Sequence, residues 1–236
     1  MGFTVNQKFL SVILHRNSKS HHHRSLYPLF PTIKRKQRTY PISAVQSYHV
    51  EFQTLSDCKL GISRYPDFSY NAKGGRGTAA GSRVESPEES GEVGDIMVCF
   101  DVGTLYIPPL TIATTRFLGL PLPPLLRIQI VPEFLNGAVN RESGKVELDF
   151  RAKFWFSVGT VYKAPPLVVD TRLTSEKSEG SIREGNGERL NTDGRCKLVG
   201  VALVNPIGDL FMDSFLSLPT ECLAVLNATL AITEAT

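Results

Sequence analysis

A two-residue alternation of side-chain character over residues 145–158 is the feature that most constrains the fold of this chain. The two sets are Val146, Leu148, Phe150, Ala152, Phe154 and Phe156 on one parity and Glu147, Asp149, Arg151, Lys153 and Trp155 on the other. A period of two over this length predicts a long strand with one buried and one solvent-facing side. The turn signal at 142–145 predicts a hairpin with 134–139. We therefore expect an antiparallel sheet.

Prolines and caps define the other elements. Six prolines fall within 105–135, a density that excludes helix and the interior of a central strand. Further strands are predicted at 96–102, 104–112, 167–174 and 196–204, and 222–232 is either a closing strand or a second helix. One helix is predicted over 209–217, with Asp209 as its N-cap. The expected fold is mainly β: an antiparallel β-sandwich or an incompletely closed barrel with one or two short C-terminal helices.

Two segments have the composition of loops. Residues 72–94 are rich in glycine and contain almost no large apolar side chain, so they are expected to bury too little surface to offset chain entropy. We predict a mobile loop there. The polar segment 175–188 is predicted to be a second loop or the exposed end of a hairpin.

The N-terminal 44 residues differ in composition from the rest. Eight Lys or Arg and no Asp or Glu precede Glu51, so the remaining chain carries an excess of acidic residues. A basic, Ser-rich and acid-free segment is typical of an organellar transit peptide. We predict a disordered transit peptide over 1–44 and a single β-rich domain over 45–236. The expected location is the chloroplast, in the stroma or at the stromal face of the thylakoid; the alternatives are a mitochondrial address and a basic arm that binds nucleic acid.

A resemblance supports the plastid interpretation. Three stretches carry it: CKLGISRYP at 58–66, IVPE at 130–133 and LSLPTE at 216–221. They resemble nuclear-encoded plant plastid proteins, and the resemblance extends over most of the 45–236 domain. It implies the compartment and carries over no activity and no functional residue.

Histidine is nearly confined to the predicted transit peptide. Of five histidines only His49 falls in the 45–236 domain. Nucleophiles activated by an imidazole, and most zinc sites, are therefore not expected. The four cysteines have no C-x-x-C spacing, and we expect buried free thiols, with two disulfides as the alternative. The sequence assigns no catalytic residue and no cofactor.

The leucine-proline run at 118–130 is the best binding candidate. Its leucines exceed what a surface loop needs: Leu118, Leu120, Leu122, Leu125 and Leu126. Inside an open sheet they predict a pocket for a lipid or pigment, and on the surface they predict docking on a membrane or a protein partner. Ordinary core packing is the alternative.

Three carboxylates near the C-terminus form a second, weaker candidate site. Asp209 and Asp213 fall on one face of the predicted helix, and Glu221 follows beyond its end. Carboxylate oxygens are ligands for hard divalent cations, so these residues predict a metal site. The alternative is an N-cap followed by a solvated acidic face.

Three functions remain open at this point. The first is a non-catalytic plastid β-domain that binds a hydrophobic ligand, a thylakoid surface or a protein partner. The second is an enzyme that uses carboxylates, with a divalent metal near Asp209 and Asp213. The third is a structural or assembly factor without a ligand. No nucleic-acid partner is expected for the acidic domain, and no apolar run reaches the length of a transmembrane helix.

Overall fold

The computed structural model describes residues 45–84 and 94–235, so the predicted transit peptide lies outside the described residues. The elements, in chain order, are β1 (Val45–Thr54), β2 (Cys58–Ile62), β3 (Phe68–Tyr70), β4 (Arg76–Val84), β5 (Ile96–Phe100), β6 (Thr115–Phe117), β7 (Leu120–Pro121), β8 (Leu126–Val139), β9 (Val146–Val158), β10 (Tyr162–Lys163), β11 (Leu167–Thr174), β12 (Lys177–Glu179), β13 (Glu184–Asn186), β14 (Arg195–Val204), α1 (Leu210–Phe215) and β15 (Thr220–Glu234).

Thirteen of these strands form one antiparallel sheet, in the order β1-β4-β5-β8-β9-β11-β14-β15-β2-β3-β6-β7, with β10 paired to β9. β1 also pairs with β15, which brings the strands round toward a closed circuit. The circuit is weakest between β11 and β14, because they share only the pair Thr174–Val199. The predicted mainly antiparallel β fold is confirmed, as one large sheet that does not close into a regular barrel. The segment at 222–232 belongs to strand β15, so a single short helix is present near the C-terminus of the described chain.

The β8–β9 ribbon confirms the alternation that the sequence displays. β9 matches the predicted strand, whereas its partner β8 begins well before 134. Pro132 lies inside β8, opposite Ala152, next to a bulge before Phe134. At this point β8 has a free edge, because β5 pairs with it only from Asn136 to Val139. Proline is tolerated there since the missing N–H would have had no ladder partner.

Gly137 in β8 leaves no room for a side chain. A Cβ there would overlap the carbonyl oxygen of Glu147 and lie 2.8 Å from the Leu148 Cα, and neither backbone atom is free to swing aside. We expect Gly137→Ala to lower the free energy of unfolding by about 2 kcal/mol, as measured by urea unfolding. Gly103→Ala is the control, because its Cβ would meet only the Asp101 side chain. Equal stability of the two variants would contradict this packing.

The prediction of a mobile loop over 72–94 is wrong for residues 76–84, which form β4. β4 pairs with β1 along its length and with β5 through its middle. Its small residues make room for neighbours: a Cβ at Gly77 would overlap the side chain of Leu105. Pairing on both edges and packing by larger side chains of adjacent segments stabilise a strand that has few apolar residues of its own. Residues 85–93 lie outside the described part.

The prediction of a strand at 104–112 is also wrong. This segment is a loop with two isolated bridges, Arg76–Tyr106 and Leu110–Ile128. Pro108 and Pro109 lie between the bridges, and because proline has no N–H a continuous ladder cannot form through them.

The polar segment at 175–188 contains the hairpin β12–β13, so the alternative of an exposed hairpin end is the one observed. Ser178 Oγ accepts a hydrogen bond from the Val201 N–H at 3.1 Å, which holds the hairpin against β14.

Helix α1 covers one region of the sheet. Asp209 is its N-cap, as predicted, and accepts the Met212 N–H at 2.9 Å. Met212 and Leu216 are buried against Leu167, Val204 and their neighbours in a second apolar cluster. In the part of the chain that the structure describes, we find no helix with the length and apolar character needed to cross a membrane.

Candidate functional site: an apolar cavity

An apolar cavity of about 570 Å³ lies between the sheet and helix α1. Part of its wall consists of small cross-strand pairs in β14 and β15: Ala202 is opposite Cys222, and Gly200 is opposite Ala224. Directly opposite residues of antiparallel strands point to the same side of a sheet. These four small residues therefore leave space that larger residues would fill.

Larger side chains form the facing walls. They come mainly from the apolar parity of β9 and from β11, and they include Phe150, Phe154, Phe156, Leu167 and Val169. The volume falls in the range of about 300–1,000 Å³ that is typical of small-molecule sites.

The interruption between β11 and β14 also borders the cavity. Beyond the pair Thr174–Val199 the two strands no longer form a ladder. Thr171 Oγ1 donates to the Val201 carbonyl at 2.7 Å and supplies a side-chain bond across this gap. The sheet is therefore open at the position where the cavity wall passes from one strand to the other.

The structure places the predicted leucines in and beside the rim of the cavity. Leu122 is 5% exposed and Leu126 is half-buried, and both belong to the wall. Leu118 and Leu120 also belong to the wall but are each 70% exposed, so the cavity reaches the surface beside them. Leu125 is 73% exposed and does not line the cavity. Leu122 and Leu126 thus fit the pocket interpretation and Leu125 fits the docking interpretation, whereas Leu118 and Leu120 belong both to the wall and to the surface.

Few polar atoms face the cavity, and its described wall contains no charged side chain and no histidine. The Thr171 hydroxyl is used by Val201, and the Tyr65 hydroxyl donates to the Phe215 carbonyl at 2.7 Å. Burial raises the pKa of the Cys222 thiol to about 11, so this thiol stays protonated near neutral pH and is a weak nucleophile. A ligand would meet hydrocarbon, a neutral thiol and two hydroxyls that already donate to backbone carbonyls.

Glu221 takes part in a polar anchor beside the cavity. The backbone N–H groups of Ile182, Ser181 and Arg183 donate to its carboxylate at 2.7, 2.6 and 2.8 Å, and they hold its pKa below the usual range. Consecutive N–H groups of this kind form a concave anion site. In this protein the Glu221 carboxylate occupies that anion site.

Arg183 extends this anchor to the end of β2. Its guanidinium donates to the carbonyl of Ser63 at 2.9 Å and to that of Tyr65, and it lies 2.6 Å from the Asp67 carboxylate. The Arg183 side chain is only 14% exposed. Because Arg183 and Ser63 are 120 residues apart in the chain, no sequence spacing indicates this contact, and sequence reasoning missed it. The anchor holds the loop next to the wall residue Tyr65.

The three predicted metal-binding carboxylates each have backbone partners. Asp209 caps α1, and Asp213 accepts the N–H groups of residues 207 and 208 at 2.9 and 3.1 Å. Glu221 is occupied by the 181–183 loop. Residues 45–84 and 94–235 contain no group of three His, Cys, Asp or Glu side chains arranged to hold a metal ion. Each of the three carboxylates therefore accepts hydrogen bonds from a different backbone segment, and the structure does not bring them together as one site.

The outer face of the β8–β9 ribbon carries a shallower polar groove of about 330 Å³. Arg127, Trp155 and Lys163 are among the residues that line it, and the Lys163 ammonium lies 5.0 Å from the centre of the Trp155 ring. Arg127 and Lys163 are both cross-strand neighbours of Ser157, one on each side. This groove therefore lies back to back with the cavity, across a single layer of sheet.

The remaining groups of interest lie elsewhere. His49 is on β1, 3.6 Å from the Glu51 carboxylate and outside the cavity wall. All four cysteines fall in the described part and are free thiols, but only Cys58 and Cys196 are buried as expected; Cys222 is half-buried and Cys99 is exposed. Burial raises the pKa of Cys196 to about 12, so this thiol is unreactive near neutral pH.

No protein-family model matches this chain, and neither the curated proteins nor the solved structures provide a match. The functional interpretation therefore rests on the residues of the cavity and of its rim.

Proposed function

We propose that this domain is non-catalytic and binds one neutral, hydrocarbon-rich molecule in the cavity between the sheet and α1. The observation that carries the proposal is the combination of a volume of about 570 Å³ with a described wall of apolar and neutral side chains. Ligand sites of this size are lined mainly by apolar residues, with few polar groups to orient the ligand. A lipid with a single chain or a compact pigment has the required chemistry.

Any polar end of the ligand stays at the rim. A charged group inside the cavity would lose its hydration without gaining a partner, because the hydroxyls of Tyr65 and Thr171 already donate elsewhere. At the exposed residues Leu118 and Leu120 a polar head would instead remain in contact with water. The ligand is therefore oriented with its hydrocarbon inward.

The proposed compartment is the chloroplast, on the composition of residues 1–44, which combine eight basic residues with no acidic one. A plastid import assay with the full-length chain tests this part, and import into mitochondria instead would overturn it.

The binding proposal is tested with a series of straight-chain alcohols that displace the neutral fluorophore 1-N-phenylnaphthylamine. Each buried methylene contributes about 0.8 kcal/mol, so affinity should rise about fourfold per added CH₂ until the chain outgrows the cavity. Native mass spectrometry of the purified protein then identifies any apolar molecule that it retains. Affinity that does not depend on chain length would contradict binding in this cavity.

A further inference from the structure

We propose that the loops at one end of the β8–β9 ribbon dock on the surface of an anionic lipid bilayer. The docking element, termed the apolar tip, consists of Leu118, Leu120, Leu125 and Val161. This inference goes beyond the proposed ligand binding and is testable without any ligand. If both hold, docking brings the rim of the cavity to the membrane from which an apolar ligand would be loaded.

The four side chains of the apolar tip are the first observation. Leu118 and Leu120 are each 70% exposed, Leu125 is 73% exposed and Val161 is 89% exposed. Leu118 lies in the β6–β7 turn and Leu120 begins β7, whereas Leu125 precedes β8 and Val161 lies in the β9–β10 turn. The Gly159 N–H donates to the Leu125 carbonyl at 3.0 Å, which ties the last two loops together. Large apolar side chains that protrude from neighbouring loops typically mark an interaction surface.

The backbone of the apolar tip is the second observation. Leu118 has φ = 51° and Leu125 has φ = 72°. Bulky residues rarely adopt this left-handed conformation, in which glycine or asparagine is less strained. Leu125 is strained, exposed and outside the cavity wall, so it contributes little to the stability of the domain and its identity is better explained by an external contact.

The charge of the chain segments that carry the apolar tip indicates the kind of partner. Residues 102–132 and 154–169 contain no Asp or Glu, although the chain from Glu51 onward has an acidic excess. Within these segments Arg116, Arg127 and Lys163 are exposed, and none of them forms an ion pair with a described residue. In a bilayer, anionic headgroups lie over a hydrocarbon interior. Basic side chains without an acidic partner can bind the headgroups while the nearby leucines enter the hydrocarbon.

Trp155 provides a fluorescent reporter for the end of the domain that carries the apolar tip. It is the single tryptophan of the whole chain and lines the same groove as Arg127 and Lys163. The basic residues before Glu51 also attract anionic vesicles, so co-sedimentation alone does not test the proposal. Quenching of Trp155 by brominated acyl chains reports whether this particular end of the domain reaches the bilayer.

The experiment titrates the full-length chain with vesicles of brominated phosphatidylcholine and phosphatidylglycerol in equal parts. We expect quenching of Trp155, and much weaker quenching when phosphatidylglycerol is omitted. The double variant Leu120→Glu/Leu125→Glu should raise the lipid concentration for half-quenching about tenfold. Met97→Glu is the matched control: it is 57% exposed but pairs with Ala138, at the far end of β8, and should leave quenching unchanged.

A third variant distinguishes a loss of membrane docking from a loss of stability. Leu125→Asn places a residue that tolerates positive φ in the strained position, so its Tm should be unchanged or higher while quenching weakens several-fold. Vesicle association of the full chain without quenching of Trp155 would overturn the proposal, and so would equal quenching by wild type and the double variant. Quenching that does not require phosphatidylglycerol would overturn the role assigned to Arg116, Arg127 and Lys163.

Discussion

Replacing Ala224 with Phe should lower the affinity for 1-N-phenylnaphthylamine about 30-fold. Ala224 and its cross-strand partner Gly200 form one of the small pairs that leave the cavity empty. A phenyl ring at this position would point into the cavity and occupy the space where the ligand is proposed to lie. Because the ring fills an existing void, the Tm should remain the same or rise.

The control for this variant lies on the same strand. Ala231 belongs to β15, like Ala224, but its side chain is exposed and does not line the cavity. Ala231→Phe should therefore bind the fluorophore as the wild type does. If the two variants bind equally well, the fluorophore occupies another site, and the proposed function loses its structural basis.

Replacing Glu221 with Ala should give the largest loss of stability, a fall in Tm of about 10 °C. The carboxylate receives three backbone N–H groups from residues 181–183, and Arg183 of the same loop binds the end of β2. Removing the carboxylate leaves these donors without their acceptor and releases the loop from β15. Differential scanning calorimetry measures the change, and Glu234→Ala, at an exposed position near the end of the same strand, is the control.

The same carboxylate predicts a pH dependence. The pKa of Glu221 is lowered in the folded state, so its contribution is complete above the pKa of the unfolded state, about 4.3, and is lost as pH falls toward the folded value. Glu221→Gln cannot titrate there. We expect the Tm difference between wild type and Glu221→Gln to shrink as pH is lowered below about 4.3. A difference that is constant with pH would show that Glu221 does not stabilise the fold through its charge.

Periodicity predicted the strongest elements of the fold. The alternation in β9 and the apolar run of β11 were sufficient for both strands, because each strand buries one face, β9 in the main core and β11 mainly in the second cluster beneath α1. The cap at Asp209 predicted α1 for a similarly local reason: the side chain bonds a backbone N–H three residues away. Both patterns depend on residues that are close together in the chain, so they can be recognised from the sequence alone.

Pairing decided what periodicity could not predict. β4 lacks large apolar residues, and its composition alone predicted a loop. It is a strand because β1 and β5 provide partners on both edges and because Leu105 packs over Gly77. β4 is stabilised by contacts with other segments of the chain, so its own residues do not indicate that it is a strand.

The sequence by itself determined the class of fold, the near absence of histidine from the domain and the leucine-proline run as the candidate binding segment. Only the tertiary structure decided that a cavity exists, because a void depends on which side chains face each other. Gly200 and Ala224 are unremarkable in their own strands and leave space only when β14 pairs with β15. The tertiary structure also decided that Leu122 faces the cavity while Leu125 protrudes, because the path of the backbone through the prolines determines where each leucine side chain points.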